Sequence, residues 1–264
     1  MCRWAAYIGE PIFLEDIITR PEHSLVAQSV EATECKTTTN ADGFGLAWYD
    51  DRPTPGLYRD VYPAWSDPNL RSLAHQVKSR LFLSHVRAST GAATSRNNCH
   101  PFSARNWSFM HNGQVGGFEQ FRKSADMAIP DALYGQRRGG TDSEVLFLLA
   151  LGFGLDDDPC HALEKSVSWL ERQSKATGVT PHMRLSAAFS DGETLHAVRY
   201  SSDRIAPSVY YRYCETRQGW AVVSEPLEGG DGDWQELAPG KMISVSSQGL
   251  IERDFVPAAV EEAA

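Results

Sequence analysis

Cysteine stands second in the chain, directly behind the initiator methionine, in Met1-Cys2-Arg3-Trp4. Its small side chain permits enzymatic removal of Met1, so Cys2 is expected to open the mature protein. That residue would carry a thiol and a free α-amine on neighbouring carbons. A thiol titrates near ~8.5 and an α-amine near ~7.7–8.0. The amine is therefore a fair general base for its own thiol at neutral pH, and one residue supplies both nucleophile and base. The plain alternative is a small apolar residue opening a buried first strand.

Three other positions carry side chains suited to a polar substrate, each with an ordinary reading beside the functional one. Asn112-Gly113 follows an alternating stretch, Trp107 to His111, and by default marks a type I′ hairpin turn. A side-chain amide and an adjacent backbone N–H can also converge on a developing oxyanion. Arg87, in Ser84-His85-Val86-Arg87-Ala88-Ser89-Thr90-Gly91, sits where an apolar strand runs out. It serves either as a surface ion pair or as a bidentate grip on a carboxylate. Asp142, at the mouth of a helix opened by Thr141, either complements the helix dipole or binds an ammonium in spite of that dipole.

Asn40-Ala41-Asp42-Gly43-Phe44-Gly45 is a glycine-marked loop running into a strand, without the spacing or following helix of a phosphate loop. Asn98-Cys99-His100-Pro101-Phe102 sets a thiol beside an imidazole. Cys99, His100 and His111 lack the spacing of a metal site, so no metal and no cofactor are expected. A serine triad has no nucleophile-elbow motif to support it.

These positions need a scaffold, and the composition bounds it. The 264 residues are 42% hydrophobic with seven tryptophans, which fits a folded domain with a sizeable core. A formal charge of −9 argues against nucleic-acid and membrane-surface partners. No apolar stretch approaches the ~18 residues of a spanning helix, and no secretory leader is read at the start. The five cysteines, Cys2, Cys35, Cys99, Cys160 and Cys214, are odd in number and form no CxxC pair. They read as reduced thiols in a cytoplasmic protein.

Strands are expected at Arg3–Ile8, Phe44–Tyr49, Leu81–Arg87 and Trp107–His111, with a helix over Asn69–Lys78. Ser124–Gly140 reads as an irregular loop. Thr141 with Glu144 forms a capping-box pattern before an apolar helix, and a second helix spans Pro159–Lys175. Further strands are expected at Met183–Phe189, Thr194–Tyr200, Ser208–Tyr213, Trp220–Ser224 and Met242–Val245. The order predicts one α+β domain over residues 2–256, with two packed sheets, helices outside and a frayed acidic tail at 257–264.

Taken in order, Met-Cys-Arg, Asn40–Gly45, His85–Thr90, Asn98–Phe102, His111-Asn112-Gly113 and Gly140–Glu144 resemble the class II glutamine amidotransferases, which are N-terminal-nucleophile hydrolases. The resemblance runs through the motifs from Met1 to about Leu149 and more diffusely beyond. It implies a four-layer αββα sandwich, with Cys2 as nucleophile and Asn112 and Gly113 as oxyanion hole. It implies Arg87 on the glutamine α-carboxylate, Asp142 on the α-ammonium, and Thr90 and His100 beside the substrate. Ala88 stands where many members carry Trp, and Gly91 where the sugar-forming branch has His, which turns the reading away from that branch.

The implied reaction is hydrolysis of glutamine or of a small γ-glutamyl peptide or conjugate through a Cys2 thioester. The compact members of glutathione breakdown and ergothioneine synthesis are the nearest in kind. The 264-residue chain is expected to lack a fused synthase. The alternatives are a glutaminase subunit that supplies ammonia to a separate synthase, and a catalytically inactive protein that binds a γ-glutamyl ligand. The leaving-group half of the pocket is expected from loops such as Asp50–Asp67 and Ser124–Gly140.

Overall fold

A computed structural model describes residues 2–34, 39–89, 93–227 and 234–257. The strands are β1 (Arg3–Phe13), β2 (Phe44–Tyr49), β3 (Gly56–Asp60), β4 (Lys78–Val86), β5 (Phe102–Ala104), β6 (Trp107–Val115) and β7 (Met183–Ser190). They continue with β8 (Leu195–Ser201), β9 (Tyr210–Cys214), β10 (Gly219–Val223), β11 (Gln235–Glu236), β12 (Lys241–Ser246) and β13 (Gly249–Asp254). Helices α1 (Glu15–Ile18), α2 (Leu25–Val30) and α3 (Pro68–Gln76) precede β4. Helices α4 (Phe118–Met127), α5 (Asp131–Tyr134), α6 (Asp142–Gly152) and α7 (Pro159–Thr177) lie between β6 and β7.

Two antiparallel sheets result, in the orders β11-β9-β10-β1-β4-β2-β3 and β13-β12-β8-β7-β6-β5. The period-2 geometry of β1 sends Trp4, Ala6 and Ile8 to one face and Ala5 and Tyr7 to the other. The first set packs between the sheets with Leu81, Leu83, Met110, Ala188 and Ile243. The second packs under α1–α3 with Leu14, Ile17 and Leu70. A third core joins Phe109, Leu185 and Phe189 of the other sheet to Phe121, Phe147 and Leu163 of α4, α6 and α7. Helix, sheet, sheet, helix is therefore the layer order, the αββα sandwich that the resemblance implied. Every residue from Arg3 to Tyr7 is buried, because β1 lies inside its sheet and is covered on both faces.

The later strands and the two long helices form within a residue or two of their expected positions. The turn reading of Asn112-Gly113 is corrected: β6 passes straight through both, pairing Asn112 with Ser186 and Gly113 with Leu185. Glycine is needed at 113 for a close approach instead, since a Cβ there would lie 1.9 Å from the Arg184 carbonyl oxygen. The loop reading of Ser124–Gly140 is corrected too. Phe118, Phe121 and Ala125 recur at helical spacing and bury one face of α4, and α5 follows. β3, β5 and β13 escape a sequence reading because each is short, polar or at a sheet edge.

The Thr141–Glu144 pattern caps α6 in half of the expected way. Thr141 Oγ1 accepts from the Glu144 amide at 3.3 Å. The buried Glu144 carboxylate instead accepts from Arg137 Nη1 at 2.8 Å and from the amides of Arg138 and Gly139 at 3.0 and 2.8 Å. It thereby fixes the chain leading into Asp142. Glu144→Ala leaves Arg137 with Asp126 at 2.9 Å and the Thr141 carbonyl at 2.8 Å but removes the acceptor for Arg137 Nη1 and two amides, so it is expected to lower unfolding stability by about 1–3 kcal/mol. A shift in urea midpoint at constant m-value checks this, and a wild-type midpoint contradicts it.

Candidate active site

The register of the first sheet decides where Cys2 lies. Arg3 pairs with Val86 in β4, so one residue further along the ladder Cys2 meets the chain just beyond β4. The Cys2 sulfur accepts from the Ala88 amide at 3.4 Å and lies 3.5 Å from the Ala88 carbonyl. Burial pushes the thiol above its ordinary value, while the Ala88 peptide, the chain's N-terminal charge and Arg87 act in the lowering direction.

Next door, Arg3 anchors this end of β1. Its Nε lies 2.7 Å from the buried Glu225 carboxylate, and its Nη1 donates to the Cys2 carbonyl at 3.4 Å. Glu225 also accepts from Thr33 N at 2.9 Å, Thr33 Oγ1 at 2.7 Å and Glu34 N at 3.2 Å, and it meets His23 Nε2 at 2.5 Å. Burial alone would raise its carboxyl, but the Thr33 donors, His23 and Arg3 hold it below the usual range. Glu225 carries no sequence signal; only a buried arginine in the first strand could have prompted a search for its partner.

Arg87 leaves the end of β4 on a platform built by the Asn40–Gly45 loop. Asp42 N donates to the Arg87 carbonyl at 3.0 Å, Arg87 N to the Gly43 carbonyl at 2.8 Å, and Ser89 N to the Asp42 carboxylate at 2.7 Å. The guanidinium donates to the Asp42 carbonyl at 3.3 Å and to Ser89 Oγ at 3.0 Å. Two glycines admit the segment behind it. A Cβ on Gly43, at φ +115°, would lie 2.6 Å from the Cys99 sulfur, and one on Gly45 would lie 2.2 Å from the His100 carbonyl oxygen.

The second sheet brings β6 across from β1, with Trp4 Nε1 donating to Ser186 Oγ at 3.1 Å to tie the two sheets. Asn112 is buried, and its Nδ2 has no hydrogen-bond partner. Asp142 stands at the first turn of α6, where Oδ2 accepts from Val115 N at 2.8 Å and Oδ1 from Ser143 N at 2.7 Å. Asn98 holds the approach to it, accepting from Gly140 N at 2.8 Å and donating to the Ala93 carbonyl at 2.7 Å.

Cys2, Arg87, His100, Asn112, Gly113 and Asp142 all line one 430 Å³ cavity, so the structure brings these predicted site residues together. Thr90 and Gly91 lie outside the described residues. The cavity's remaining wall differs from the expectation: Gln114 to Gln120 at the end of β6 and start of α4 supply it, with Gly140, Val179 and Arg184. Asp50–Asp67 contributes nothing to it, and Ser124–Gly140 contributes only Gly140. Among the described residues no group of three or more His, Cys, Asp and Glu is arranged to hold a metal. No helix there is long and apolar enough to cross a membrane.

His100, on the cavity wall, lies with its ring centroid 4.4 Å from that of His85, the two planes tilted by 34°, and it meets Phe102 at 4.5 Å. The two ring nitrogens of His100 are buried without a partner, and His85 reaches the His111 backbone only weakly. Burial, then Arg87, pushes His85 down to about 3. Burial, then His85, lowers His100 well below the ordinary value. Both rings are therefore neutral, which keeps this wall free of a competing cation beside Arg87.

The profile described as glutamine amidotransferases class-II matches residues 19–212 of the chain. The chain is 30% identical to the probable glutamine amidotransferase DUG3 of Saccharomyces cerevisiae, over 99% of this chain and 86% of that one. It is 28% identical to the gamma-glutamyl-hercynylcysteine sulfoxide hydrolase of Mycolicibacterium smegmatis, over 93% and 96% of the two chains. A solved class-II domain protein from Silicibacter pomeroyi, described as a glutamine aminotransferase, superposes with a TM-score of 0.80 at 60% identity, over 97% of this chain and all of that one.

The neutral histidines have a consequence for stability. The folded pKa of His85 lies below its unfolded value near ~6.5, so the unfolded chain takes up this proton first as pH falls. The stability it contributes is present above ~6.5 and is lost as pH drops towards about 3, at up to about 1.4 kcal/mol per pH unit. His85→Leu removes at most a weak contact to the His111 backbone, so it is expected to make the acid decline shallower by about that slope. Urea titrations across this pH range measure it; an unchanged slope contradicts it.

Proposed function

The chain belongs to the class-II glutamine amidotransferases, and from that premise we propose that it hydrolyses a γ-glutamyl amide with Cys2 as its nucleophile. Removal of Met1 frees the α-amine of Cys2. That amine takes the thiol proton, which matters because burial disfavours the thiolate on its own. The thiolate attacks the γ-carbonyl carbon, the carbonyl electrons move to oxygen, and the oxyanion is held by Asn112 Nδ2 and the Gly113 amide. Collapse breaks the C–N bond, the amine leaves with a proton, and a γ-glutamyl thioester remains on Cys2. Water then attacks the thioester, restoring the thiol and releasing glutamate.

One observation carries this reading: Asn112 Nδ2 is a buried donor without a partner on the wall of the cavity that holds Cys2. Orphaned donors of this kind are rare and costly unless something binds them. An oxyanion would repay that cost in the transition state. Arg87 takes the substrate α-carboxylate and Asp142 its α-ammonium. The two amides on Asp142 orient its carboxylate and still leave acceptor capacity. His100, on the cavity wall, is proposed to stand beside the glutamyl head, and Thr90 is kept as a proposed substrate contact on the family resemblance alone. A substrate lacking either head charge would leave a charge unpaired and be rejected strongly.

The domain is a single unit over residues 2–256, acting in the cytoplasm. The relative named a gamma-glutamyl hydrolase supports a small γ-glutamyl peptide or conjugate as substrate as well as glutamine. The second reading is a glutaminase subunit that passes ammonia to a separate synthase; the relative named a probable glutamine amidotransferase is consistent with glutamine as substrate in either reading.

Screening the processed protein against γ-glutamyl compounds, with released glutamate as the readout, is expected to find turnover without any added protein. Turnover that appears only with a second protein favours the ammonia-supplying reading instead. Asn112→Ala is expected to lower kcat by about 100-fold or more while changing KM little. An effect confined to KM would remove Asn112 from the oxyanion hole.

A further inference from the structure

A hydrogen count around His111 leaves one proton too few. Its Nε2 lies 3.0 Å from the Arg184 carbonyl oxygen, which can only accept, so Nε2 carries the ring proton. The ring is buried, and burial lowers its pKa while Asp142 and the Arg184 carbonyl act the other way. A neutral ring then presents a lone pair at Nδ1, 2.9 Å from Ser143 Oγ. The same Oγ lies 3.2 Å from Asp142 Oδ1. Ser143 has a single hydroxyl proton, and two acceptors face it.

We infer that the Ser143 hydroxyl is a two-position switch: it points to Asp142 in the free site and turns to His111 when an α-ammonium occupies Asp142. The inference rests on the proposed role of Asp142 as ammonium receptor. A bare carboxylate outcompetes a neutral imidazole for a hydroxyl proton. An ammonium on Asp142 supplies donors of its own and weakens that pull. The hydroxyl then satisfies Nδ1, which otherwise stays a buried acceptor without a donor. The other titratable groups near this ring are His85 from β4 and His100 ahead of β5, both held neutral by burial. Arg87 lies beyond β4, and the Arg184 guanidinium is neutralised by Asp203 at 2.5 Å. Asp142 is therefore the charge that sets the hydroxyl's choice.

His111 directly precedes Asn112 and Gly113 in β6, so the switch links recognition of the glutamyl head to the strand bearing the proposed oxyanion donors. It makes Ser143 and His111 positioning residues, neither of which touches the reacting carbonyl.

The test uses processed protein with 15N-labelled histidine, the His111 signals being assigned by their loss in His111→Gln. L-Glutamate, which carries the α-ammonium, is compared with glutarate, which lacks it. L-Glutamate at saturation is expected to move His111 Nδ1 upfield, as for a newly accepted hydrogen bond, and glutarate is expected to leave it in place. Ser143→Ala should abolish the displacement and Ser143→Thr, which keeps a hydroxyl, should retain it. Saturable glutamate binding with Nδ1 unmoved, or an equal displacement by glutarate, overturns the switch while leaving the ammonium role of Asp142 standing. Asp142→Asn with an unchanged preference for glutamate over glutarate removes that role, and the switch with it.

Discussion

The site depends on the pairing of β1 inside the first sheet. A strand that opens a chain would ordinarily fray, since only one flank ties it down. Here Arg3 to Tyr7 are paired with β4 and β10 and covered on both faces, so they are among the best-buried residues of the protein. Trp4 fills the space between the sheets and Arg3 is locked to Glu225. The ladder then leaves Cys2 one residue beyond the last paired position, against the Ala88 peptide, where it lines the cavity. A slip of one residue would turn every side chain of β1 to the opposite face and take the sulfur away from the cavity.

Charge is distributed unevenly around that sulfur. Arg87 is held by backbone and hydroxyl oxygens of its own neighbourhood, and the buried His85 and His100 stay uncharged. Asp142 lies across the cavity at the start of α6, gripped by two amides. The cavity therefore holds a guanidinium and a carboxylate, with Cys2 and the orphaned Asn112 amide among its lining residues. The α6 end of this arrangement is held by the buried Glu144 and by Asn98, and the β4 end by Asp42. Each proposed binding group is therefore braced by a second polar group from a different part of the chain.

Sequence reading recovered this arrangement unevenly, for physical reasons. Long periodic elements such as α7 and β7 were legible because their burial pattern repeats over several turns or pleats. Cys2, Arg87, Asn112 and Asp142 were legible through motif order, and the fold brings them to one cavity. Asn112-Gly113 misled as a turn because the same dipeptide serves a hairpin and a close strand approach, and only the neighbouring Arg184 carbonyl distinguishes them. The cavity wall from Gln114 to Gln120 was invisible because it belongs to the end of one element and the start of the next. Glu225 and Ser143 were invisible because a buried acid or hydroxyl draws its meaning from partners distant in sequence.

The most direct measurement of the central claim is covalent trapping with a glutamine-like diazo-ketone, 6-diazo-5-oxo-L-norleucine, followed by peptide mass mapping. Cys2 as a processed nucleophile predicts one adduct, on a peptide that begins at Cys2 with a free α-amine. An adduct on Cys35, Cys99, Cys160 or Cys214, or one on a peptide still carrying Met1, would contradict it.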